Sequence, residues 1–134
     1  MISSGCGRTN ETMIVIDTSS WIEMLRPDGR KDVKARVISH LRNGEARLVP
    51  MVRLELWNGA KGDRERRALR EFERVLPELK MDSLVWDQAC ALAQKARSAG
   101  VTVPSTDILI AACAWHHGAE IESSDRHFEE LKGL

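Results

Sequence analysis

Four acidic side chains could do chemistry together: Asp17 and Asp125 at the ends of strand candidates, and Glu55 and Asp107 where a charge is costly unless it is paired or coordinated. Asp17 directly follows the β-branched run Met13-Ile14-Val15-Ile16, and Asp107 opens the apolar run Ile108 to Trp115. Glu55 lies on the apolar side of the segment Met51 to Ala60, and Asp125 follows a strand candidate centred on Ile121. Carboxylates in apolar surroundings are driven to neutralise or to find a cation. If the four converge, their mutual repulsion calls for a divalent cation with oxygen ligands, and Mg2+ or Mn2+ held by carboxylates and water activates water against a phosphodiester.

Each acid also has a plainer use. Asp17 fits an N-cap or first-turn position ahead of Thr18-Ser19-Ser20, Asp107 a first-turn acid favoured by the helix dipole, and Asp125 a cap for the segment Arg126 to Leu131. Glu55 fits a salt bridge to Arg53 or Arg64. Their joint placement, more than any single one, points to a site. His116 and His117 are adjacent and so face different sides of a helix, which is wrong for shared ligation. Trp21, Trp57, Trp86 and Trp115 fall among aliphatics at helical spacing, as core or interface residues do, and Cys113 in its apolar helix reads as inert. Lys61 to Arg74 carries six basic and four acidic residues and reads first as a solvated mixed-sign face, with contact to RNA phosphate as the second use.

These groups need elements to position them. Ile14 to Ile16 has no polar alternation, the pattern of a strand covered on both faces. Trp21, Ile22, Met24 and Leu25 form a helical stripe broken at Pro27-Asp28-Gly29, and Val33, Val37, Ile38 and Leu41 form a second, closed by Asn43-Gly44. Arg47 to Pro50 reads as a strand, Met51 to Ala60 and Gly62 to Leu76 as helices, and Leu79-Lys80-Met81 as a brief strand after Pro77. Leu84 to Ala99 is a helix stopped by Gly100, and Ser105 or Thr106 caps the next, which is apolar all round and must be buried. Glu120 to Ser123 is a last short strand before a helical turn holding Phe128 and Leu131. Strands alternating with helices predict an α/β fold: a three-layer α/β/α sandwich around a short, mainly parallel sheet. In such sheets the functional crevice lies beyond the carboxyl ends of the strands, where Asp17 and Asp125 stand.

Length and charge set the outer bounds. The 134 residues, 43% hydrophobic and 30% charged, suit one domain over 13–134, with residues 1–12 too poor in apolar side chains to be more than a flexible tail. Twenty basic and twenty acidic residues balance to zero, so a polyanion must meet a local basic patch rather than a general field. Cys6, Cys90 and Cys113 are odd in number and lack zinc-type spacing, which fits a reducing cytoplasm, and no apolar run reaches the length of a membrane span.

With these motifs in hand, the chain resembles the PIN-domain proteins, specifically the VapC-type ribonuclease toxins of toxin–antitoxin modules. The resemblance rests on Ile14-Val15-Ile16-Asp17-Thr18-Ser19-Ser20-Trp21-Ile22, then Arg53-Leu54-Glu55-Leu56 with Asn58-Gly59-Ala60, then Thr106-Asp107-Ile108-Leu109-Ile110-Ala111-Ala112, then Ser123-Ser124-Asp125-Arg126-His127-Phe128. It implies a metal-dependent endoribonuclease acting on single-stranded or looped RNA, such as a transfer RNA or a ribosomal RNA loop. Asp17 and Asp107 would be the principal metal ligands and Asp125 a further ligand or a water-positioning acid, with Mg2+ or Mn2+ as the ion, and Glu55 a ligand through water or the general base. Thr18, Ser19 and Ser123 would hydrogen-bond these carboxylates. The resemblance also implies a homodimer in the cytoplasm, silenced by a cognate antitoxin whose tail brings a basic group into the acidic groove.

The chain departs from the family in three places. The region Leu131-Lys132-Gly133-Leu134 leaves a final edge strand short or absent, serine stands at 123 where threonine is common, and twelve residues precede the usual start of the first strand. An aspartyl phosphotransferase or a phosphoacceptor module would want paired acids after the first strand, and Asp17-Thr18-Ser19 has one. From a different class, a catalytically silent PIN fold serving RNA binding or assembly would typically lack one of the four acids.

Overall fold

The computed structural model describes residues 12–134. All but the last residue of the expected 1–12 tail, with Cys6, therefore lies outside the described residues. The elements are β1 (Ile14–Ile16), α1 (Thr18–Leu25), α2 (Lys31–Arg42), β2 (Ala46–Arg47), α3 (Pro50–Gly59), α4 (Gly62–Val75), α5 (Ser83–Ser98), α6 (Ser105–His116), β3 (Glu120–Glu122) and α7 (His127–Lys132). The three strands form a sheet in the order β2-β1-β3, with both pairings parallel. This is a helix-rich α/β fold around a short parallel sheet.

The central strand explains the layering. Ile14, Val15 and Ile16 are 7%, 0% and 0% exposed, so side chains pointing to opposite faces are all covered, as an unalternating β-branched run requires. α6 supplies the largest piece of that core. Every residue from Asp107 to Ala114 is buried, α5 packs along it, and α1 packs against α2. Burial of Trp21 adds an aromatic contact to Phe72, with ring centroids 4.7 Å apart.

Register decides where the chemistry falls. Ile16 pairs with Glu122, and the Asp17 N–H donates to the Glu122 carbonyl at 2.8 Å, extending the parallel ladder by one step. Because the strands run parallel, Asp17 and the turn from Ser123 to Asp125 leave the sheet at the same edge.

Two local expectations are corrected. Leu79-Lys80-Met81 forms no strand; only an isolated parallel bridge joins Leu48 to Glu78, because Pro77 and the immediate start of α5 leave no room for a longer ladder. Neither Ser105 nor Thr106 caps α6. Both lie inside its first turn, and Pro104 holds the N-cap position with no side-chain bond.

The two described cysteines differ sharply. Cys113 is fully buried, donates weakly to the Lys80 carbonyl at 3.6 Å, and burial pushes its thiol up to about 11, whereas Cys90 on α5 is exposed. A thiol so disfavoured as thiolate is a poor nucleophile. Alkylation of the native protein mapped by mass spectrometry is expected to modify Cys90 and spare Cys113 until denaturant is added; labelling of Cys113 at a comparable rate in the folded state would contradict this packing.

Candidate active site

The site is built outward from Asp17. It follows the buried end of β1 and caps α1, its Oδ2 accepting the Ser19 N–H at 3.4 Å with the extended backbone an N-cap needs. The same oxygen accepts the Ser19 hydroxyl at 2.8 Å and the Ser123 hydroxyl at 3.0 Å. Those hydroxyls lie 3.2 Å apart, and Ser19 Oγ also accepts the Ser124 N–H at 3.2 Å, which stitches the start of α1 to the turn after β3. The cap use and the cluster use of Asp17 thus coexist.

That turn places the next two groups. Ser123 Oγ accepts the Asp125 N–H at 3.1 Å, and Asp125 Oδ1 accepts the His127 N–H at 3.2 Å, a local Asx-type bond just ahead of α7. α7 starts at His127 with Arg126 as its cap residue. His127 Nδ1 then lies 2.5 Å from Asp107 Oδ2 and 3.7 Å from Asp125 Oδ1. Ligand atoms of Asp107, Asp125 and His127 all fall within 4.8 Å of one another.

Electrostatics shows that these acids feel each other. Burial first, then the charge of Asp125, push the Asp17 carboxyl above its ordinary value, against the lowering effect of the Ser19 and Ser123 hydroxyls. Asp107 is raised by burial and by the charges of Asp17 and Asp125, while His127 pulls it down. His127 is raised in turn, chiefly by its bond to Asp107. Desolvation and like charge outweigh the hydrogen bonds that favour the ionised forms. His127 sits two residues beyond Asp125 at the mouth of a helix, a spacing that carries a signal only once the Asx bond is known; sequence reasoning passed over it for the more conspicuous His116 and His117. Those two bond instead to the Gln88 side chain at 3.1 Å and the Lys80 carbonyl at 2.9 Å.

Glu55 stands beside the cluster. It projects half-buried from α3, and its Oε1 accepts the Thr18 hydroxyl at 2.6 Å, next in chain to Asp17. It forms no ion pair among the described residues; Arg53 instead pairs with Glu78 at 2.7 Å and reaches Glu73 at 3.8 Å. Of the serines and threonine singled out from the sequence, Ser19 and Ser123 hold Asp17, and Thr18 holds Glu55. Among the described residues no lysine or arginine bonds to Asp17, Asp107 or Asp125, so a hard oxygen-donor set stands without a basic counter-ion beyond His127. Such a set fits a divalent cation of the Mg2+ type.

Comparison with known proteins places the chain in a family and a fold. The PIN domain family model matches residues 14–134. The chain is 37% identical over 124 residues to ribonuclease VapC11 of Mycobacterium tuberculosis, covering 89% of this chain and 91% of that protein. A VapC ribonuclease of Mycobacterium bovis matches with the same 37% identity and the same 89% and 91% coverage. Among solved structures, the DNA-bound VapBC of Salmonella typhimurium superposes with a TM-score of 0.76 at 20% identity over 92% of this chain and 95% of that one. FitAcB of Neisseria gonorrhoeae gives 0.68 at 21% identity over 90% and 94%. At those identities the structural likeness is one of fold.

The raised carboxyls make a stability prediction for metal-free protein. A group whose native pKa lies above its unfolded value contributes stability below the unfolded value, here near 3.8, and loses it as pH rises through the native one. Asp17→Asn removes that loss while keeping a competent cap residue. In EDTA at pH 7 the variant is expected to melt about 2–5 °C above the parent, with the gap closing toward pH 4. A lower melting temperature, or a pH-independent gap, would show that the carboxylate charge is not a burden on the fold.

Proposed function

The chain belongs to the PIN-domain family, and from that premise we propose that it is a metal-dependent endoribonuclease cleaving single-stranded or looped RNA, acting as the toxin of a toxin–antitoxin pair. The observation that carries the reading is the cluster of Asp17, Asp107 and Asp125 at the carboxyl edge of the sheet, mutually repelling and without a basic partner other than His127. The 37% identity to proteins named as VapC ribonucleases supports it.

Asp17, Asp107 and Asp125 would hold Mg2+, with Mn2+ as the alternative. When bound, the ion supplies charge neutralisation at the phosphate and acidifies the attacking water. The protein's own contribution is positioning. Ser19 and Ser123 fix the Asp17 carboxylate through two hydroxyl bonds, and the Asx bond after Asp125 fixes that side chain at the start of α7. Both are the kind of outer contact that sets ligand orientation. Glu55 is the base that accepts the proton of the attacking water, or a ligand through water. Thr18 engages its Oε1, while Oε2 makes no hydrogen bond among the described residues and is open to a proton.

The same acidity shapes the partners. A cognate antitoxin silences the enzyme by placing a basic side chain among these carboxylates, where charge complementarity is strongest. Transfer RNA or a ribosomal RNA loop is the substrate class, the working unit is a homodimer, and the setting is the cytoplasm. No helix among the described residues is long and apolar enough to cross a membrane.

The test is cleavage of total cellular RNA by antitoxin-free protein with Mg2+, with Mn2+ and with EDTA. Cleavage is expected with either metal, none in EDTA, and a loss of about 100-fold or more in an Asp17→Asn plus Asp107→Asn variant. Folded, metal-binding protein that cuts nothing would overturn the enzymatic reading in favour of a silent RNA-binding or assembly module.

A further inference from the structure

Beside the acid cluster, α1, α3 and α4 leave a recess of about 210 Å3. Its apolar lining includes buried Leu56 and Leu69 and the exposed Ile22, and it is edged by Glu55, Arg26 and Lys61. Glu55 belongs to both places, since the Thr18 hydroxyl ties it to the residue after Asp17. The recess and the candidate active site therefore share Glu55.

Its lining carries two cations, Arg26 and Lys61, and two carboxylates, Glu55 and Glu65. Arg26 and Lys61 are exposed, and neither side chain meets a carboxylate among the described residues. Glu65, the other acid of the recess, is turned to the backbone and accepts the Lys61 N–H at 2.7 Å. Along α4 the exposed Arg64 and Arg67 also lack a carboxylate, whereas Arg66 pairs with Asp63 and Arg74 with Glu71. On a chain of zero net charge, this unpaired group supplies the local basic patch that a polyanion needs.

We infer that this recess is a nucleotide subsite: it takes one unstacked base of the RNA against Ile22, Leu56 and Leu69, while Arg26 and Lys61 hold the flanking phosphates. The inference rests on the ribonuclease reading and adds to it where the substrate strand lies. Single-stranded RNA is recognised by splaying bases onto apolar or aromatic surface and tracking the backbone with cations. The recess is smaller than the roughly 300 Å3 and upward of sites for larger ligands, which suits a single ring system. An apolar protein side chain would use the same lining but leave Arg26 and Lys61 unanswered; RNA supplies the planar apolar face and regularly spaced anions together.

Two variants test it on the full chain. Arg26→Ala plus Lys61→Ala removes the exposed cations. Gly59→Phe adds an aromatic ring at the edge of the recess, where a Cβ at Gly59 meets no atom within 4 Å and the backbone does not require glycine. Binding of short labelled oligouridylate and oligoadenylate, intact or with one abasic position, is followed by fluorescence anisotropy in Ca2+ buffer across a salt series, with melting curves to confirm folding. The double variant is expected to bind more weakly and to flatten the slope of log K against log salt by about 1.4, the value for two lost single-strand phosphate contacts. An abasic position is expected to weaken the parent about tenfold and to add nothing in Gly59→Phe. Parent protein that binds RNA with affinity and salt slope unchanged in both variants would overturn the subsite, leave the ribonuclease reading standing, and give the recess to a protein side chain. Parent protein that binds no oligonucleotide and cuts no RNA would remove both.

Discussion

Asp17 is a carboxylate held where water scarcely reaches, 3% exposed, at the end of a strand whose own residues are buried on both faces. Burial favours the neutral acid, and the Ser19 and Ser123 hydroxyls and the α1 N-terminus only partly restore the charge. Asp107 and Asp125 add their charges to the same volume. A cluster of this kind is a standing cost to the fold, and carboxylates already desolvated and oriented form a set that a cation would stabilise.

The architecture follows from keeping that cluster together. A parallel register brings the ends of β1 and β3 to one edge, so residues more than a hundred positions apart in sequence share hydrogen bonds through Ser19, Ser123 and Ser124. α6 must be buried along its length to bring Asp107 to the same edge, and an all-round apolar helix is the sequence solution to that demand. α3 brings Glu55 to Thr18, the residue after Asp17, and the same half-buried carboxylate lines the recess. Asp17 and Asp107 are buried, whereas Asp125 and Glu55 are half-buried at the rim of the group.

Much of this was legible in the residues. The unalternating Ile14 to Ile16 announced a strand covered on both sides, and the apolar girdle of α6 announced a buried helix, because both patterns record burial directly. Features that depend on two distant partners were not legible. The failure of Leu79 to Met81 to become a strand is a matter of available ladder and of where α5 begins. The placing of His127 against Asp107 depends on a turn whose geometry appears only when Asp125 accepts its N–H. Glu55 offered a choice between Arg53 and Arg64, and the structure gives it Thr18, because Arg53 is drawn to Glu78 and Glu73 across α3.

In the proposed function Asp17, Asp107 and Asp125 surround one cation position. Crystals of the antitoxin-free protein soaked in Mn2+, with diffraction recorded at a wavelength where manganese scatters anomalously, test it most directly. An anomalous peak is expected within coordination distance of carboxylate oxygens from all three aspartates, absent in crystals of Asp107→Asn. A well-ordered site with no peak among the three, or a manganese peak elsewhere while these carboxylates keep only their hydroxyl and imidazole partners, would contradict it.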